Sequence, residues 1–123
     1  MSQVDEEVQE ILASLKKIKG IHGSAILEKF GLVSGNALPG WVDPESVAAM
    51  VTLILKASER ATKELNQGTF LNAIIENERG KLLFAAIGEK IIVVITTTDA
   101  KLGILDLKLK TARQKLADKA AAK

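Results

Sequence analysis

Two stretches of the sequence, Leu82-Leu83-Phe84-Ala85-Ala86-Ile87 and Ile91-Ile92-Val93-Val94-Ile95, are apolar at every position and are separated by a short turn around Gly88-Glu89. Successive side chains of a strand point to opposite faces, so a strand with one wet face alternates apolar and polar residues. Strands that are apolar throughout must be covered on both faces. Joined by so short a turn, these two are antiparallel neighbours, and the chain must supply helices for both sides of their sheet.

The rest of the chain supplies three helices. Val4, Val8, Ile11, Leu12, Leu15 and Ile18 recur at helical spacing, with Ser2 as N-cap and Gly20 as the stop. Ile21 to Glu28 and Leu32 to Asn36 read as a hairpin turning through Lys29-Phe30-Gly31. After the loop Leu38 to Val42, Asp43-Pro44-Glu45 has the form of an N-cap, a first-turn proline and a first-turn acid. The helix it opens should run to about Leu65 and end at Asn66-Gln67-Gly68. A meander of Thr69 to Glu76, Lys81 to Ile87 and Lys90 to Thr97 follows. Asp99 then reads as the cap of a last helix carrying Leu102, Leu105, Leu109, Ala112, Leu116 and Ala120 on one stripe. The expected fold is α/β (α+β), a three-layer α/β/α sandwich around a five-stranded antiparallel sheet in the order α-β-β-α-β-β-β-α. Residues 1–123 form one domain, with 118–123 expected to fray.

The chemistry of an enzyme is missing from the pattern. Cysteine is absent and His22 is the only histidine, so neither a thiolate nor a multi-histidine metal site is available. Gly20, Gly23 and Gly31 lack the GK[ST] sequence of a phosphate loop and read as turn glycines. Thr96-Thr97-Thr98 has no paired base. Asp5, Glu6, Glu7 and Glu10 oppose a helix dipole. The lysines of the last helix read as a solvated face, with no aromatic platform beside them for nucleic acid. Seventeen basic against fifteen acidic side chains give a net charge of +2, too small for binding by field alone. No apolar run approaches the roughly 20 residues of a spanning helix. These features predict a cytoplasmic, non-catalytic protein without cofactor, metal, nucleic-acid partner or membrane insertion.

What remains is an apolar excess that one sheet contact does not explain. On the second helix Val47, Met50, Val51, Ile54, Ala57, Ala61 and Leu65 fill one sector, the expected core face, with Thr52, Lys56, Glu59 and Lys63 opposite. Ala48 with Leu55 widens that sector on one side and Ala49 with Leu53 on the other. These flanks either meet a second protein or lie against the loop Leu38 to Val42. Phe70, Leu71, Asn72 and Ile74 belong to a strand that begins the meander and is expected at the sheet edge, apolar on both faces. Antiparallel pairing of this strand about a two-fold axis would continue the sheet through a homodimer whose second helices meet beside it. Lys56 and Glu59 are candidates for a partner surface. Ile104 and Leu107, opposite the core stripe of the last helix, either join such a surface or rest on the first helix.

Several stretches in this order resemble the Roadblock family. Lys19-Gly20-Ile21-His22-Gly23-Ser24-Ala25-Ile26-Leu27 is similar to its glycine-rich first strand, and Phe30-Gly31-Leu32-Val33 to its first hairpin. Ile91 to Leu109, the central strand followed by Leu-Gly and the final helix, is the most specific segment. Phe30 stands where relatives often carry an acid, and Trp41 is a further departure. The resemblance implies a profilin- and longin-like fold, dimerisation through the third strand and second helix, and no intrinsic catalysis. It further implies either binding and regulation of a small Ras-like GTPase or service as a structural, dynein-type light chain of a larger assembly.

Overall fold

The computed structural model describes residues 3–121, and the Ser2 cap lies outside them. The order is α1 (Gln3–Leu15), β1 (Ile21–Leu27), β2 (Val33–Asn36), α2 (Pro44–Glu64), β3 (Asn72–Asn77), β4 (Gly80–Ile87), β5 (Lys90–Thr96) and α3 (Gly103–Ala121). All strand pairs are antiparallel and the sheet order is β2-β1-β5-β4-β3. The apolar runs of β4 and β5 lie inside the sheet, as their side-chain patterns require, and β3 is an edge.

Alternation along each strand sends its side chains into two cores. Ile26, Leu83, Ala85, Ile87, Ile92 and Val94 meet Val8, Ile11 and Leu15 of α1 and Leu105, Leu109 and Ala112 of α3. Ala25, Leu27, Phe84 and Val93 meet Ala48 and Val51 of α2 on the other face. This is the expected three-layer sandwich, two helices over one and the sheet between.

Three local readings are corrected. Asp99 does not cap α3, which begins only at Gly103; its carboxylate accepts instead from Thr97 Oγ1 at 2.6 Å and closes a tight turn. β3 starts at Asn72 rather than Thr69, because Leu71 O, which accepts from Ala86 N at 2.9 Å, is the last point of regular approach to β4. Ala120 is exposed rather than part of the buried stripe of α3, which is helical through Ala121.

Candidate protein-interaction surface

The rotation of α2 about its own axis decides which side chains reach the outside. Asp43 caps the helix, its Oδ1 accepting from Glu45 N at 3.2 Å and its Oδ2 from Ser46 Oγ at 2.8 Å. The 3-10 turn Lys29–Gly31 then sets the rotation. Gly31 has φ +85, and a Cβ there would lie 2.6 Å from Thr52 Oγ1, so the turn approaches α2 more closely than any side chain allows. Thr52 Oγ1 also donates to Ala48 O at 2.7 Å, which keeps it compact. With Thr52 drawn toward the hairpin, the stripe facing the sheet is Ala48, Val51 and Leu55.

The expected core sector is thereby turned outward. Of its members only Val51 is fully buried; Met50 is 56% and Ile54 37% exposed, and Ala57, Ala61 and Leu65 are exposed as well. Leu53, 71% exposed, and Ala49, read from the sequence as one flank of that sector, are both exposed. Ala48, at 2% exposure, and half-buried Leu55 belong to the core of their own chain and not to an outer flank.

The strand candidates divide in the same way. Phe70 turns inward and stacks on Phe84, with ring centroids 5.9 Å apart and planes 14° apart, so it is a core side chain rather than an exposed interface one. Leu71 and Ile74 are exposed at the open edge, while Asn72 is half-buried opposite Ala85. Coverage of this face thins toward that edge. Ala25, Leu27, Phe84 and Val93 are buried, but Leu82 of β4 and Ala73 and Ile75 of β3 are only partly so. The outer face of α2 and the β3 margin are thus two neighbouring places where apolar surface lacks a cover.

Lys56 and Glu59 sit on the hairpin side of α2, where with Phe30, Gly31 and Phe70 they line a cleft of about 300 Å³. Phe30 has φ +68, a conformation costly for a non-glycine residue, and is 80% exposed. The hairpin pattern located the turn but could not show this, because glycine at 31 was available to take the positive φ alone. Ile104 and Leu107 are exposed on α3, in the opposite layer. Sequence reasoning missed Arg113, whose Nε donates to Ala86 O at 3.1 Å and whose Nη2 donates to Leu71 O at 2.6 Å, tying α3 to the chain entering β3. No helix among the described residues is long and apolar enough to cross a membrane.

An uncharacterized protein of Methanocaldococcus jannaschii is 39% identical over 109 residues, which span 89% of this chain and 96% of that protein. Among solved structures, Myxococcus xanthus MglB superposes with a TM-score of 0.74 at 18% identity, over 100% of this chain and 98% of that one. An MglB in a tetrameric arrangement gives 0.71 at 20% identity, over 96% and 90%. These two likenesses are likenesses of fold. The sequence model of the Roadblock/LC7 domain matches residues 7–97, from the first buried residue of α1 to the end of β5, and the chain belongs to that family.

Proposed function

We propose that this Roadblock/LC7 chain is a non-catalytic, dimeric regulator or scaffold of a small Ras-like GTPase, working in the cytoplasm without a cofactor. The observation that carries the dimer is the outward stripe of α2, Met50, Leu53, Ile54, Ala57 and Ala61, beside the thinly covered, unpaired edge of β3. Full burial of one large aliphatic side chain contributes about 1.5–3 kcal/mol, and Met50, Leu53 and Ile54, each partly covered already, offer a fraction of that from each copy toward the cost of association. The alanines at 49, 57 and 61 let a second α2 approach closely, while Leu71 and Ile74 flank a strand free to pair with its own copy. An MglB with the same fold occurs in a tetrameric arrangement, which supports self-association in this architecture. The GTPase is supported by the family resemblance, and Lys56 and Glu59, beside the cleft at Phe30, are the residues proposed to meet it.

Light scattering at micromolar concentration should return a dimer, and addition of the dimer should change GTP hydrolysis or nucleotide exchange by a small GTPase of the same host. A monomer at that concentration removes the basis of the proposal. A dimer that leaves the GTPase unaffected but co-purifies with a long chain lacking a nucleotide site would establish the light-chain role instead.

A further inference from the structure

At the end of the sheet away from the β1–β2 hairpin, three elements converge on an open hollow of about 1190 Å³. Lys17 and Lys19 come from the α1–β1 turn, Lys81 from the start of β4, and Lys101 from the approach to α3, whose first turns add Ile104 and Leu107. Both apolar side chains are more than half exposed. The backbone that presents the lysines is fixed. Gly20 has φ +93, a Cβ there would lie 2.5 Å from Thr97 Oγ1, and Thr97 N donates to Gly20 O at 2.8 Å, so the α1–β1 turn is pressed against the β5–α3 loop.

Charge in this hollow is one-sided. Asp99 is the one acid that lines it, and its carboxyl is held below the ordinary value first by the Thr97 hydroxyl, then by its own backbone N–H, with Lys19 and Lys101 acting in the same direction. Four lysines therefore line the hollow against one carboxylate, with Glu76 of β3 the cross-strand neighbour of Lys81. Asp106, the next acid along α3, is engaged with Lys110 at 3.2 Å. Glu7 and Glu10 border the neighbouring α1–α3 groove, where Glu10 pairs with Lys115 at 3.6 Å.

We infer that this hollow docks an acidic segment of a partner protein, its carboxylates among Lys17, Lys19, Lys81 and Lys101 and its apolar side chains on Ile104 and Leu107. A concave surface with two apolar side chains on a basic rim suits a protruding segment, whereas a bilayer presents a flat one. The site lies in another layer and at another place than the α2 stripe, and does not rest on the proposed dimer or its GTPase.

The test uses the full chain and a fluorescein-labelled peptide made of glutamate and leucine, read by anisotropy at low and near-physiological salt. Binding should weaken with salt, by roughly tenfold or more in the Lys19→Glu/Lys101→Glu variant, and by roughly threefold in Ile104→Ser. These side chains are exposed, so circular dichroism should show the fold retained in both variants. Leu53→Lys should bind the peptide as the unaltered chain does. The inference is overturned if the glutamate–leucine peptide does not bind, if a glutamate–serine peptide binds equally well, if the lysine variants bind unchanged, or if phosphatidylserine vesicles are retained in preference to the peptide.

Discussion

On one face of the sheet, α1 and α3 bury Val8, Ile11, Leu15, Leu105, Leu109 and Ala112; on the other, α2 buries only Ala48 and Val51 although it is the longest helix, with 21 residues. Helix length is therefore not coverage. Two helices close a face whose strands are apolar, whereas one helix, drawn toward the hairpin by the Gly31–Thr52 contact, leaves its own outer stripe and the β3 margin open. The difference separates a layer that completes itself from one that a second molecule can complete.

Leu109→Ala tests the closed layer and should have the largest effect. Leu109 is 1% exposed, and removal of such a side chain costs about 2–5 kcal/mol. Urea denaturation should show that loss, with the difference from the unaltered chain independent of protein concentration. Leu53→Lys tests the open layer. It should weaken self-association by about 2 kcal/mol, roughly thirtyfold in Kd, in sedimentation equilibrium. It should change the stability of the isolated protomer by less than about 0.5 kcal/mol. Comparable loss of protomer stability in both variants would erase the distinction between the layers.

The sandwich itself was legible because the apolar runs of β4 and β5 need cover on both faces and the chain offers three helices to give it, and the start of α2 was legible because Asp43-Pro44 is local chemistry. The facing of α2 was not. Its helical wheel shows a broad apolar arc, and the part that meets the sheet is selected by a contact between Thr52 and a glycine far away in sequence. Phe70 fails for a related reason: an apolar residue near an edge strand reads alike whether it points at a partner or, as here, stacks on its own chain's Phe84. Asp99 has the chemistry of a cap, but Thr97 takes its carboxylate first. The exposed stripe was thus predicted in kind and misplaced in rotation, while the lysine hollow, drawn from three separate segments, has no local signature at all.

Arg113 links the two regions, since a residue of the closed layer holds the strand at the margin of the open one. Burial pushes its guanidinium pKa down, and the two carbonyls it binds, Ala86 O and Leu71 O, draw it in. Arg113→Met keeps the stem and removes both hydrogen bonds, so about 1 kcal/mol of stability should be lost. Self-association should weaken with it, because the entry to β3 is no longer held. Lost stability with unchanged association would place the contact between copies elsewhere than β3.

The smallest effect concerns the seam between the layers. Lys90, at the start of β5, bonds Asp5 of α1 and Glu28 beside the hairpin, the latter at 3.2 Å, and Ser34 Oγ donates to Glu28. The Ser34 donation, aided by Lys90 against some desolvation, holds the Glu28 carboxyl below its ordinary 4.5, and Asp5 and then Glu28 hold Lys90 above its ordinary 10.5. A depressed carboxylate stabilises the fold above its unfolded pKa and loses that contribution as pH falls through the folded one; a raised lysine stabilises below its unfolded pKa and loses it as pH rises through the folded one. Both contributions are whole from about pH 5 to about pH 10. Ser34→Ala removes the main cause at Glu28, so its urea midpoint should fall less steeply than that of the unaltered chain as pH drops below about 4.5. The seam belongs to each protomer, so this limb should be the same at every protein concentration. An acid limb that steepens on dilution would instead couple proton binding to dissociation, and would put the titrating groups on the open face rather than at the seam.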